Sequence, residues 1–350
     1  MIGTQPATRV RPAESDRTWT GIYQRGRQER TGVYAPPSAP LASPALYHAI
    51  GTSPVVSLIG QTPLVRLTRV AEGLPPTTAV AVKLEGFNPG GSVKDRAALS
   101  IVREALRTGA LAPGQVLLDA TSGNTGIAYA MLGAALGFPV QLVLPADASP
   151  ERVQILRAYG AHLILSDPAA GTEGARQVAR ELAAAEPDRV FYADQYNNPA
   201  NPLAHYTTTG PEIWQQTEGQ VTHFIAGLGT GGTMMGVGRY LRERNPAVRL
   251  VGVQPDGPRH GIEGLKHLAT ADVPGIYDAG LVDQVTVVHT EEARAMARRL
   301  ARQEGLFVGI SAGAAVVAAL QVAREPDTGL VVALSPDGGF KYVSAPFWRE

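Results

Sequence analysis

Asn88-Pro89-Gly90-Gly91-Ser92-Val93-Lys94-Asp95-Arg96 joins a strand-like apolar run at 78–84 to a stretch at 95–108 that reads as a helix. The turn is rich in glycine and presents a lysine just as the helix begins. Only four of the 31 basic residues are lysines, at 83, 94, 266 and 341, so charge alone is met almost everywhere by arginine. A lysine kept in this setting suggests a need for an amine that can lose its proton and attack a carbonyl, which a guanidinium cannot do. Taken alone, the segment also reads as a solvated lysine at a helix start.

Outward from this turn the same grammar repeats. Apolar runs at 115–120, 140–144, 161–165 and 189–193 alternate with helical stretches at 126–137, 150–159 and 171–186. After Asn197-Asn198-Pro199-Ala200-Asn201-Pro202 a second group begins, with strands at 221–226, 248–253 and 329–334 and helices at 206–217, 234–244, 291–304 and 314–324. Such alternation predicts an α/β protein of two lobes, each a mostly parallel sheet flanked by helices. Ligands of open parallel sheets bind outside the carboxyl ends of the strands, where the glycine-rich loops of this chain fall.

The bulk properties narrow the partners. With 350 residues, 44% of them hydrophobic, the chain can bury a large core, and its length favours two domains over one. A formal net charge of zero gives no electrostatic footprint for nucleic acid or an anionic membrane. Cysteine is absent, which excludes disulfides, thiolate metal sites and a cysteine nucleophile, and is compatible with a reducing cytoplasm. No metal site is expected. No run reaches the roughly 18 to 20 apolar residues of a membrane span. The arginine-containing first residues lack the apolar core of a secretory signal and end in Ala35-Pro36-Pro37-Ser38-Ala39-Pro40. They read as a disordered extension, or as a tail that folds over the body or binds a partner.

Three further loops offer chemistry. In Asp119-Ala120-Thr121-Ser122-Gly123-Asn124-Thr125-Gly126, hydroxyls and helix-start amides suit a carboxylate, although Thr, Ser and Asn are also ordinary N-caps. In Gly227-Leu228-Gly229-Thr230-Gly231-Gly232-Thr233, glycine amides and two hydroxyls suit a phosphate monoester. A dinucleotide site is the rival there, weakened because no acidic residue ends the following strand at 248–253. Gly309-Ile310-Ser311-Ala312-Gly313-Ala314 reads as a third strand-to-helix turn with one hydroxyl. An amine, a phosphate cradle, a carboxylate pocket and a hydroxyl together are the needs of pyridoxal 5'-phosphate carried on a lysine and acting on an amino acid.

These segments resemble the cysteine synthase (O-acetylserine sulfhydrylase) and cystathionine β-synthase family of fold-type II pyridoxal phosphate enzymes, whose architecture is like that of the tryptophan synthase β subunit. The resemblance covers about 46–345, including Gly60-Gln61-Thr62-Pro63-Leu64-Val65. It implies an extension at 1–45, a smaller lobe at 95–198 with the Asn124 loop, and a larger lobe from 46–94 plus 199–345 with the phosphate loop. Lys94 would hold the cofactor and act as the base for the α-proton. Asn124 would bond the cofactor's 3'-oxygen, Gly229, Thr230, Gly231, Gly232 and Thr233 its phosphate, and Ser311 its ring nitrogen. Thr121, Ser122, Gly123, Thr125 and Gln195 would hold the substrate carboxylate. Arg259, on the loop 255–264, would reach a phosphate if the donor were O-phosphoserine; a solvated loop arginine is the alternative.

The implied reaction is β-replacement on O-acetylserine or O-phosphoserine by sulfide or a sulfur carrier, through an α-aminoacrylate, to give L-cysteine. The implied partners are the amino-acid substrate, a sulfur donor that in some relatives is a sulfur-carrier protein, and a second copy in a cytoplasmic homodimer. Cystathionine or 2,3-diaminopropionate synthesis is the rival within the fold. A non-catalytic protein that merely binds the cofactor is the rival outside it. The family often carries Ser or Thr after the ring-nitrogen serine, where this chain has Ala312. The segment ending in Phe340-Lys341-Tyr342 leans slightly toward the enzymes that take sulfur from a carrier.

Overall fold

Short apolar runs bounded by glycine, proline or polar residues become strands covered on both faces, as expected where helices pack on each side of a parallel sheet. The computed structural model describes residues 43–121 and 123–349, so Ser122 and nearly all of the extension lie outside the described residues. In chain order the strands are β1 (Leu64–Arg66), β2 (Ala79–Leu84), β3 (Val116–Ala120), β4 (Val140–Pro145), β5 (His162–Ser166), β6 (Val190–Tyr192), β7 (Val221–Gly227), β8 (Arg249–Pro255), β9 (Gln284–Val288) and β10 (Leu330–Ser335). They form a six-stranded sheet, β1-β2-β10-β7-β8-β9, and a four-stranded sheet, β5-β4-β3-β6. The smaller sheet is parallel throughout, and in the larger only β1 runs antiparallel to its neighbour, pairing Leu64 with Lys83.

Each sheet has its own core. Helix Ile310–Val322, apolar on nearly every side, packs on one face of the large sheet, and Met234, Val237 and Leu241 of helix Gly232–Arg244 pack on the other. Helices Lys94–Thr108 and Asn124–Leu136 cover the small sheet. The helix after β2 therefore belongs to the other sheet's core, so Lys94 stands where the chain crosses from one core to the other. It crosses back beyond Ala200, the last residue of the small-sheet cluster before Ile213 joins the large one.

Three local differences from the sequence reading have physical causes. The helix expected over 206–217 starts at Ala200, because a proline at 202 is tolerated in a first turn, and it carries a π-turn at His205–Thr209. Pro211 lies just beyond that turn and has no N–H to keep the regular i to i−4 ladder there. Gly309-Ile310-Ser311 does not follow a strand: Val308 makes a single bridge to Gly338, and the preceding element is the helical stretch ending at Glu304. A helix at Ser43–Thr52 begins inside the stretch read as an extension.

Candidate active site

The parallel strands place their following loops along one edge of each sheet. β2 leads to Lys94, β3 to Asn124, β7 to Gly229, β8 to the loop 256–264 and β10 to Asp337. The backbone then draws several of these loops together. Val93 N–H donates to Pro336 C=O at 2.8 Å, Ser92 bridges Asp337, and Gly309 N–H donates to Asp337 C=O at 3.2 Å.

Lys94 opens its helix, and its side-chain amine makes no hydrogen bond among the described residues. Burial is the main influence on it and lowers its pKa; nearby Asp337 pulls it back up, and Lys341 lowers it further. A neutral amine is thus more available here than on an ordinary lysine. The turn before it is shaped by Gly91, whose φ of +76° falls in the left-handed region and whose Cβ, if present, would meet Lys341 Nζ at 3.4 Å. Asp95, next along the helix, accepts from Gly90 N–H; burial lifts its pKa to about 7 against that bond and the charge of Lys341.

Asn124 begins the helix after β3. Its Nδ2 donates to Asp337 Oδ2 at 2.7 Å, and its Oδ1 accepts from Lys341 Nζ at 2.7 Å. Thr121 Oγ1 accepts from the amides of Gly123 and Gly126 at 3.2 and 3.3 Å, which holds the loop's bend. Thr125 Oγ1 donates to Gln195 Oε1 at 2.7 Å, while Gln195 Nε2 donates to Ala120 C=O at 3.3 Å. Gln195 and Thr125 are therefore brought to the loop but engage each other. The buried Arg152 stands over the ring of Tyr342, 5.3 Å from its centroid, lies beside Gly123, and pairs with Glu263 of the loop 256–264.

The loop after β7 has backbone amides at Gly229, Thr230 and Gly231 with no hydrogen-bond partner among the described residues. A side chain at Gly229 would collide with Gly264 C=O at 2.2 Å, and one at Gly232 with Asn201 Oδ1 at 2.0 Å. Asn201 Nδ2 ties this loop to the previous one, donating to Thr230 Oγ1 at 3.2 Å and to Gln195 C=O at 2.8 Å. Thr233 Oγ1 lies 3.4 Å from His205 Nε2. Burial holds His205 well below its ordinary pKa, helped by the charges of Arg96 and Lys94, so the Thr233 end of the loop and Lys94 share one neighbourhood.

Beside the Lys94 turn lies an ionic quartet, with Lys83, Glu85 and Arg96 buried and Glu212 half-buried. Arg96 makes a fork to Glu85, at 2.6 and 2.9 Å, and reaches Glu212 at 2.6 Å. Lys83 Nζ joins Glu212 at 2.7 Å. Burial works to raise the Glu212 pKa, but Arg96 and Lys83 outweigh it and hold the group at about 2. Two cations and two carboxylates leave no net charge beside the turn. Ser311, buried in the first turn of its helix, has no side-chain hydrogen bond among the described residues. Arg259 is exposed and makes no ion pair or hydrogen bond among them.

Sequence reasoning passed over Asp337, Lys341 and Tyr342 as site residues. The available signal was positional, since Pro336-Asp337-Gly338-Gly339 is another glycine-containing loop at the carboxyl end of a strand. His205 carried no such signal, and Asn201 had only its place in Asn198-Pro199-Ala200-Asn201-Pro202, because their contacts with the β7 loop, to Thr233 and Thr230, lie 28 and 29 residues on.

The residues present fit a phosphorylated pyridine aldehyde. They supply a half-buried amine with unspent donors, backbone amides without partners where side chains would collide, and on the buried Ser311 a hydroxyl with no bond among the described residues. The unpartnered Asp337 Oδ1 shows that the buried polar groups here do not satisfy one another completely. In keeping with this, residues 55–337 match the family model described as pyridoxal-phosphate dependent enzyme, and the chain belongs to that family. Within it, the chain is similar to the cysteine synthase of Aquifex aeolicus, 51% identical over 85% of this chain and 92% of that one. It is also similar to cysteine synthase B of Escherichia coli, 49% identical over 83% of this chain and 95% of that one. The crystal structure of the Entamoeba histolytica cysteine synthase superimposes with a TM-score of 0.81 at 33% identity, covering 93% of this chain and 94% of the other.

Proposed function

We propose that the protein catalyses β-replacement on an O-activated L-serine, O-acetylserine or O-phosphoserine, with sulfide or a sulfur carrier as nucleophile, releasing L-cysteine. The observation that carries this reading is Lys94: an amine with no hydrogen bond among the described residues, its pKa lowered by burial, where loops from both sheets meet. Bound there, pyridoxal 5'-phosphate supplies an electron sink that acidifies the substrate's α-proton and labilises its β-substituent. Lys94 Nζ would carry the cofactor and, when released, take the α-proton. The amides at 229–231, with Gly232 and the hydroxyls of Thr230 and Thr233, would bind the phosphate. Asn124 would hold the 3'-oxygen. Ser311 Oγ would meet the ring nitrogen with a neutral group, which favours loss of a β-substituent over full charge delocalisation. Thr121, Ser122, Gly123 and Thr125, braced by Gln195, would orient the substrate carboxylate.

The finer parts of the reading rest on the resemblance alone: lobes at 95–198 and at 46–94 plus 199–345, a homodimer, a cytoplasmic location and a sulfur-carrier protein as donor. Among the described residues no helix is long and apolar enough to cross a membrane. The test supplies each serine ester separately with sulfide and measures cysteine. A yield from both esters no higher than that of Lys94→Ala would overturn the proposal. Homocysteine or ammonia in place of sulfide separates it from cystathionine or 2,3-diaminopropionate synthesis. Arg259→Ala is expected to slow O-phosphoserine about tenfold or more while sparing O-acetylserine; equal effects on the two would remove Arg259 from donor recognition.

A further inference from the structure

The segment after β10 holds Asn124 by both ends of its amide. Lys341 Nζ donates to Asn124 Oδ1 at 2.7 Å and also to Gly90 C=O at 2.9 Å and Gly91 C=O at 3.2 Å. That is one acceptor for each of the three hydrogens of an ammonium. Asp337 Oδ2 accepts from Asn124 Nδ2 and from Tyr342 O–H, each at 2.7 Å. An ammonium has only donors and a carboxylate only acceptors, so a single orientation of the Asn124 amide satisfies both. A flip would set NH2 against NH3+ and a carbonyl against a carboxylate, losing two charge-assisted bonds at once. In the orientation present, one Nδ2 hydrogen is spent on Asp337 and the other is left for a ligand.

We infer that Lys341 and Asp337 are positioning residues that fix the Asn124 amide so that it presents a donor to the cofactor. Lys341 also pins the Gly90-Gly91 turn, so one side chain sets the loop before Lys94 and the helix bearing Asn124 relative to each other. The inference rests on the reading above that Asn124 faces the cofactor. Lysine suits the place because its compact head meets three convergent oxygens, and the close approach is permitted by Gly91, which offers no side chain on that side.

Two measurements test it without turnover. In cofactor-free protein, a thermal-unfolding cycle of Lys341→Met, Asn124→Ala and the double variant should be non-additive, the double losing a few degrees less in Tm than the two singles together. Titration with pyridoxal 5'-phosphate should show Lys341→Met binding about tenfold more weakly, the factor expected for one charge-assisted bond, with Lys341→Arg recovering little of the loss because a planar guanidinium cannot meet three convergent oxygens. Additive Tm losses, or wild-type cofactor affinity in Lys341→Met, would overturn the inference. If Lys341→Met does not fold, Asn124→Asp places an oxygen against Asp337, and adding Asp337→Asn restores a donor–acceptor pair with the roles exchanged. That pair should regain thermal stability relative to Asn124→Asp but not cofactor affinity; no regain of stability sinks the idea. A wild type that makes no cysteine would end the β-replacement reading and leave these binding and unfolding results standing.

Discussion

Lys83 and Lys94 sit at the two ends of one strand-to-helix connection, and both have pKa values lowered mainly by burial. Lys83 spends its ammonium on Thr62 C=O, Glu212 Oε2 and Gln216 Oε1, at 2.6, 2.7 and 2.9 Å. Lys94 spends nothing, and the carboxylates acting on it, Asp337 and Glu85, make no bond to it. The remaining lysines follow the first pattern, Lys266 bonding Glu173 at 2.9 Å and Lys341 bonding three oxygens. Burial alone therefore does not mark a reactive amine. What sets Lys94 apart is a half-buried amine without partners among the described residues, which leaves its donors and lone pair free for a ligand.

The comparison breaks most visibly at Lys94. Lys94→Ala should lower cysteine formation by at least about 10³-fold, with urea unfolding of the cofactor-free protein nearly unchanged because no bond is lost. Lys83→Met should do the reverse. Removing one cation from the quartet leaves Glu212 to Arg96 alone, at a cost of about 3 kcal/mol in urea unfolding, while turnover at 25 °C stays within about threefold of the parent. A large activity loss with intact stability in Lys83→Met would erase the distinction.

Asp95 sharpens it through pH. Its folded-state pKa is raised to about 7, so the folded protein favours the neutral acid. The stability this contributes is fully present below the unfolded carboxylate range, near pH 4, and is lost as pH rises through 7. Asparagine imitates the neutral acid at every pH. Asp95→Asn should match the parent near pH 4 and exceed it by up to about 4 kcal/mol at pH 8 in cofactor-free unfolding; a constant difference across that range would show that the carboxyl titrates normally. The smallest effect belongs to Arg259→Ala, expected to change stability by no more than about 0.5 kcal/mol because the side chain is exposed and unbonded.

The elements of the parallel sheets were legible because buried strands are short, largely apolar and punctuated. Val116–Ala120 is buried at every residue, and Leu330–Ser335 at all but its first. β1 and β9 escaped notice because they lie at the sheet's edges, where half-exposed residues blur the apolar signal. Within the site, Lys94, Asn124 and the 229–233 loop could be read from the chain because glycines and hydroxyls cluster locally at strand ends. The partners that decide what those groups are free to do could not be read, since Asp337 and Lys341 lie more than two hundred residues from Asn124.

The sequence by itself determined the scaffold and the cofactor class and singled out Lys94 as the candidate reactive lysine, because local periodicity and turn chemistry are short-range properties. Tertiary structure alone decided that Lys94 is left without partners while Lys83 is saturated, and that the Asn124 amide is held in one orientation. Those outcomes depend on which distant donors and acceptors the folded chain brings within hydrogen-bond reach, and no spacing along the chain encodes that distance.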